Sequence, residues 1–221
     1  MPFLVVANFK SHKTQTEVES CLKAVPSTHD VIVAPSFVHL SFVHSFAPAF
    51  ILCAQDVSPF PPGSYTGAVS ASQLKDLGVT YCIVGHSERR EYFHETSMDV
   101  ANKVKELVTA RIIPIVCLRK EDLGPQRAAL DDGLVSSCYF CYEPPADIGG
   151  TVTAPIEDIR QTTDQISKIF DTQKIMYGGS VNADNIDALL PLGLNGVIVA
   201  TACLDSASFK QIITKLSHAK N

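Results

Sequence analysis

The sequence predicts an α/β protein, a single (β/α)₈ barrel over residues 1–221, on three observations. Eight short β-branched runs are spread along the whole chain, each reads as nearly continuous apolar sequence, and segments of helical spacing lie between them. An apolar run without alternation marks a strand covered on both faces of a parallel sheet. Strand and helix alternating eight times then require a parallel α/β architecture, doubly wound or closed, and the pattern favours the closed barrel. No linker or change in composition divides the chain into two domains.

The strands are expected at Phe3–Ala7, Val31–Ala34, Phe50–Ala54, Cys82–Val84, Ile112–Cys117, Ser137–Tyr142, Lys174–Tyr177 and Val197–Ala200. After the second, the doubled Ser36-Phe37-Val38-His39-Leu40 and Ser41-Phe42-Val43-His44-Ser45 reads as an amphipathic surface helix. Residues five apart are about 140° apart on a helix, so His39 and His44 share no face and make no metal pair. Ala71–Leu77 is helical and stops at Gly78. Met98–Thr109 places Val100, Val104, Leu107 and Val108 on one stripe and starts after Ser97 as its cap. Arg119–Gly133 is interrupted by Gly124-Pro125 and is expected to hold only an abbreviated helix. Ile156–Phe170 shows helical spacing at Ile159, Ile166 and Ile169 and opens on Pro155, with Glu157 and Asp158 in its first turn. Ala183–Leu190 follows Asn182 as cap, Gly193 ends that region after Leu192, and Ser208–Leu216 closes the chain.

Apolar residues make up 46% and charged residues 19%, a globular balance with no apolar stretch long enough to span a bilayer. The first ten residues lack a basic leader and a cleavage site, so they read as a strand and not a signal peptide, and a cytoplasmic location is expected. Net charge is −5 with both signs interspersed and no basic stripe among aromatics, which argues against nucleic acid as a partner. Cys53, Cys82, Cys117, Cys138 and Cys141 sit inside apolar runs as small hydrophobes, and the thiols are expected to be reduced. Cys138 and Cys141 form a C-x-x-C within a strand, without a second pair or a helix start, so neither a metal nor a cofactor is expected.

Chemistry in a (β/α)₈ barrel gathers at the C-terminal ends of the strands. Those positions are unusually polar here: Asn8 and Lys10 after the first strand, His86, Ser87 and Glu88 after the fourth, Glu143 after the sixth, Gly178, Gly179 and Ser180 after the seventh, Ala200 and Thr201 after the eighth. A lone Glu at a strand end is usually an ion-pair member and a lone His a satisfied structural residue. A carboxylate, an imidazole and an ammonium at one barrel mouth, however, supply what proton abstraction beside a carbonyl requires: a base, a donor to the carbonyl oxygen and a positive charge for the enediolate.

The residues also carry a family resemblance. Asn8-Phe9-Lys10, Ser64-Tyr65-Thr66-Gly67, Val84-Gly85-His86-Ser87-Glu88-Arg89-Arg90 with Glu95 following, Tyr142-Glu143-Pro144, Ile148-Gly149 and Tyr177-Gly178-Gly179-Ser180-Val181 together resemble triosephosphate isomerase along the whole length. The resemblance implies that Glu143 is the proton acceptor, His86 a neutral electrophile, and Lys10 with Asn8 the groups on the substrate oxygens and phosphate. It implies Ile148, Gly149, Gly179, Ser180, Ala200 and Thr201 as further substrate contacts, and Glu88 and Ser87 as auxiliary residues. The helix start after His86 disfavours positive charge on the ring. It further implies a triose phosphate substrate, a homodimer or homotetramer in which the loop 59–66 inserts beside a neighbour's Lys10, and no metal.

The chain departs from the common form of that family in its loops. Pro145-Ala146-Asp147 stands where a Val-Trp-Ala run is usual, which resembles the shorter archaeal-type lid. Arg119-Lys120 replaces a Gly-Glu, Ala68 replaces a Glu, and Ala200-Thr201 replaces paired glycines. Backbone N–H groups at 200–201 can face a phosphate only if the turn avoids positive φ. Two other readings stay open at this point: another phosphate-binding barrel isomerase or epimerase, and a barrel retained without turnover.

Overall fold

The structure, a computed structural model, describes residues 3–27, 31–144 and 153–218. Eight parallel strands close into a barrel in chain order: β1 (Leu4–Asn8), β2 (Val31–Ala34), β3 (Ile51–Ala54), β4 (Tyr81–Val84), β5 (Ile113–Leu118), β6 (Tyr139–Tyr142), β7 (Ile175–Tyr177) and β8 (Gly196–Val199). The ring is sealed by β1 against β8, with Leu4 opposite Gly196 and Ala7 opposite Val199.

Each strand is buried on both faces, and its side chains alternate between two cores. Leu4, Val6, Ile32, Ala34, Cys53, Ile83, Ile115, Cys117, Cys141, Met176 and Ile198 fill the barrel interior, while their neighbours face the helices in a second, larger cluster. At the N-terminal end, Tyr81 and Tyr139 meet edge to face at 6.3 Å between ring centroids and pack against the inner cluster, closing that end.

Ten α-helices surround the barrel among the described residues: α1 (Gln15–Ala24), α2 (Phe37–Phe46), α3 (Ala71–Asp76), α4 (Ser87–Tyr92), α5 (Ser97–Thr109), α6 (Leu123–Ala129), α7 (Asp132–Val135), α8 (Ile156–Phe170), α9 (Ile186–Leu189) and α10 (Ser206–His218). The doubled Phe-Val-His segment is the surface helix α2, with Leu40 and Val43 buried and His39 beside Ser36. Gly78 and Gly193 end their segments at φ +75° and +73°, the left-handed turn where glycine is least strained.

The structure corrects several boundaries. The cap of α5 is Thr96 and not Ser97: Thr96 Oγ1 accepts from Asp99 N at 3.1 Å while Asp99 Oδ2 accepts from Thr96 N at 2.9 Å, a reciprocal box that pulls Ser97 into the first turn. Ala183–Leu190 shrinks to α9 and a 3₁₀ turn at Leu190–Leu192, because Asn182 Oδ1 accepts from Asp184 N and Asn185 N and ties the entry into a turn. Pro191 then lacks the N–H an α-helix would need. Gly124-Pro125 interrupts nothing, since it falls in the first turn of α6, where the N–H has no intrahelical partner to lose. The segment is broken elsewhere, between the 3₁₀ turn Lys120–Asp122, α6 and α7. Strand β6 starts at Tyr139 because the N–H groups of Ser137 and Cys138 are taken by Leu134 and Val135.

Thr96→Ala should cost about 1 kcal/mol, the usual worth of a cap, and lower the melting temperature by about 2–4 °C for a chain of this size. Calorimetry checks it, and a melting temperature unchanged would show that α5 is held by packing alone.

Candidate active site

The alternation that fills the barrel also sets which residues crown it. On β1 the inward series Leu4, Val6 continues to Asn8 and then to Lys10 beyond the strand end. Lys10 sits at φ +48°, a left-handed conformation that costs a non-glycine residue about 1–2 kcal/mol. Two hydrogen bonds hold it there: its N–H donates to Asn8 Oδ1 at 3.0 Å, and its carbonyl accepts from Gln55 Nε2 at 2.9 Å. Gln55, two residues beyond Cys53 on β3, also donates to the carbonyl of Ala34. The Lys10 ammonium reaches Glu88 Oε1 at 2.6 Å.

His86 caps α4. Its Nδ1 accepts the N–H of Glu88 at 3.2 Å, which leaves Nε2 as the donor nitrogen of the ring. The Glu88 carboxylate, committed to Lys10, stays 3.6 Å from Nδ1.

Glu143 follows β6 at the inward position after Cys141. Its N–H donates to the carbonyl of Leu118, extending the ladder one step, and its side chain is 1% exposed. Oε2 accepts the N–H of Ser87 at 3.0 Å, an amide at the start of α4 where the free N–H groups favour negative charge. Oε1 lies 3.4 Å from His86 Nε2, and among the described residues no hydrogen bond occupies it. The room for this carboxylate comes from Gly178. A Cβ there would stand 2.9 Å from Cys141 Sγ and 3.2 Å from Glu143 Cγ.

Asn8, Lys10, Gln55, His86 and Glu88 line one cavity of about 240 Å³ at the barrel mouth, and Glu143 lies outside that lining, against the His86 ring. Gly179 is wedged between the Tyr177 hydroxyl and Pro144, and Ser180 turns the chain at φ +42°. Ala200 has φ −108°, so the residues that stand in for paired glycines make their turn without positive φ. The thiol of Cys203 bonds the carbonyl of Asn8 at 3.5 Å and ties this turn to β1. Ile148 and Gly149 lie outside the described residues, as do Pro145, Ala146, Asp147 and Gly150.

Beneath the site, Arg89 and Lys103 each pair with both Asp56 and Glu95, with Arg89 Nη2 at 2.9 Å and Lys103 Nζ at 2.6 Å from Asp56. Burial pushes the Asp56 carboxyl up, and the Lys103 ammonium pulls it back. This balanced cluster braces α4, which carries His86, Ser87 and Glu88. Gln55 and Asp56 were not among the residues expected at the site. Their place directly after β3 was the available signal.

Polar groups at the strand ends over a packed interior are the division of labour of a (β/α)₈-barrel enzyme. A family model described as triosephosphate isomerase matches residues 3–216. The triosephosphate isomerase of Orientia tsutsugamushi (strain Boryong) is 34% identical over 96% of this chain and 97% of its own, and that of Ehrlichia chaffeensis 33% over 96% of each. That of Mesomycoplasma hyorhinis is 33% identical, covering 96% of this chain and 97% of its own. The chain belongs to the triosephosphate isomerase family.

Gly178→Ala should displace Glu143 and lower turnover on the order of 10²-fold, the cost of about 1 Å of misplacement. The fold should survive, since such overpacking costs about 1–3 kcal/mol. Wild-type kinetics in the folded variant would show that the carboxylate is not held by this contact.

Proposed function

We propose that Glu143, His86 and Lys10 carry out the reaction of this enzyme, the interconversion of glyceraldehyde 3-phosphate and dihydroxyacetone phosphate. The chain is an intramolecular aldose–ketose isomerase of glycolysis and gluconeogenesis. In our reading Glu143 leaves the Ser87 amide, takes a proton from the carbon beside the substrate carbonyl and returns it to the neighbouring carbon. His86 donates Nε2–H to the carbonyl oxygen as charge develops, and Lys10 supplies the positive charge that holds the enediolate. Asn8 orients Lys10, Glu88 positions both the ammonium and the imidazole, and Ser87 parks the base between turnovers. The observation that supports this reading most directly is the Glu143 carboxylate, buried against the imidazole and held through one oxygen by the Ser87 amide.

The phosphate is gripped by backbone N–H groups of Gly149, Ser180, Ala200 and Thr201, with Ile148 and Gly179 alongside, and Lys10 as the nearby full charge. The negative φ at Ala200 supports this grip, because it lets an alanine keep the turn. The segment after Glu143 acts as a short, archaeal-type lid that excludes water while the enediolate exists, which matters because an enediolate beside a phosphate-bearing carbon can expel phosphate. Residues 1–221 form one domain, a reading supported by a ring that draws strands from Leu4 to Val199. A glycolytic role places the enzyme in the cytoplasm. Among the described residues no helix is long and apolar enough to cross a membrane.

The enzyme is a homo-oligomer, a dimer or a tetramer. Phe60 and Tyr65 support this: they stack at 4.7 Å on the loop 59–66 and stay nearly half exposed. Exposed aromatics on a projecting loop suit an interface.

Glu143→Asp should lower turnover on the order of 10²-fold, because the shorter side chain misplaces the carboxylate by about 1 Å. Glu143→Gln, tested with glyceraldehyde 3-phosphate, should be slower still, and a wild-type rate would remove Glu143 as the base. Light scattering should give a multiple of the 23.9 kDa chain mass. A fully active monomer would sink the role of the loop.

A further inference from the structure

The seven cysteines are all free and buried, but two are placed differently from the rest. Cys117 on β5 and Cys141 on β6 are register partners on adjacent parallel strands, and both point into the barrel. Glu143 is the next inward residue above Cys141. One donor atom from each of the three lies within 4.8 Å of the others, and all three residues are buried. The C-x-x-C of Cys138 and Cys141 does not converge, since Cys138 belongs to the outer cluster and bonds the carbonyl of Leu134.

We propose that Cys117, Cys141 and Glu143 form a binding site for a thiophilic divalent cation of the zinc or cadmium type, whose occupancy takes the carboxylate out of use as a base. Two sulfurs match the preference of such ions for soft ligands, zinc also accepts a carboxylate oxygen, and three protein ligands leave the fourth position to a water molecule. Glu143 Oε1, in a side chain 1% exposed and without a geometric hydrogen bond among the described residues, faces these thiols as an oxygen ligand. Tetrahedral zinc with sulfur at about 2.3 Å and oxygen at about 2.1 Å separates its donors by roughly 3.5 Å, so the three groups need to close by at most about 1 Å. Gly178 leaves that space beside Cys141 and Glu143.

His86 is not the fourth ligand in its present state, because Nε2 carries the proton while Nδ1 accepts from Glu88. On binding, each thiol gives up its proton to solvent and the hydrated cation exchanges coordinated waters for two thiolates and one carboxylate, with no change in oxidation state. Burial holds the Cys141 thiol above its ordinary range; burial, then the neighbouring Cys141 and Glu143, holds Cys117 well above it. Without metal, both stay protonated hydrophobes. The inhibition rests on the reading of Glu143 as the base, whereas binding itself does not.

The test titrates the chelator-treated enzyme with cadmium and follows two signals: thiolate-to-cadmium absorption in the ultraviolet, and triose phosphate interconversion by proton NMR without coupling enzymes. We expect one tightly bound equivalent per chain with a two-thiolate band, and activity lost in step with it. In Cys141→Ala, and in Cys117→Ser as a second variant, the two-thiolate band should disappear. The concentration that halves each variant's own metal-free rate should rise at least about tenfold, since loss of even an outer partner costs that much. Cys138→Ala should follow the wild type. No band in the wild type, or equal bands and equal inhibition in wild type and Cys141→Ala, overturns the site. A band that appears without loss of activity leaves the site standing and counts instead against Glu143 as the base.

Discussion

Closure of eight parallel strands into one ring is the constraint on which everything else here depends. A closed ring forces each strand to send alternate residues inward, and it removes the free edges where a strand could slip. A one-residue slip would exchange the two faces of a strand. On β6 such a slip would send the tyrosine before Glu143 into the barrel and the carboxylate among the helices. The register that packs Val6 and Cys141 into the interior is therefore also the register that lifts Asn8 and Glu143 to the rim. Core and site are consecutive turns of the same pattern.

The rim balances charge economically. Glu143 is almost wholly removed from water, and among the described residues it accepts one hydrogen bond, from the Ser87 amide. A hydrogen bond to a charged group contributes about 1.5–3 kcal/mol, less than full hydration would, so the carboxylate is held in place without being quenched. Lys10 is treated oppositely: its ammonium is partly exposed and already paired, while its backbone is forced into a strained turn by Asn8 and Gln55. One group keeps chemical reactivity and the other keeps position. Helix α4 connects them, because its first amides touch Glu143 and His86 while its Glu88 side chain holds Lys10.

Much of this was legible in the sequence. All eight strands were readable from apolar runs, most to within a residue or two, because burial on both faces leaves little choice of composition. The polar strand ends were readable because they break that composition abruptly. What escaped had local or long-range causes. The cap at Thr96, the turn at Asn182 and the first turn at Pro125 were decided by pairs of local side-chain hydrogen bonds or by one missing N–H, which periodicity does not register. Gln55 and Asp56 acquired their meaning from Lys10 and Arg89, residues far away in the chain. The pairing of Cys117 with Cys141 depended on the relative register of two strands, which neither strand's own sequence encodes.

The tyrosine pair at the opposite end has a kinetic consequence. Tyr81 and Tyr139 pack under the inner cluster at the N-terminal end of the ring, and among the described residues the interior above them is filled by buried apolar side chains. The barrel is a vessel with one door. Whatever enters the mouth leaves by the same mouth, so substrate and product exclude each other and each turnover ends only when the opening is vacated. Solvent, too, reaches the reacting carbons only from that side, and whatever covers the mouth controls both traffic and exchange of protons with water.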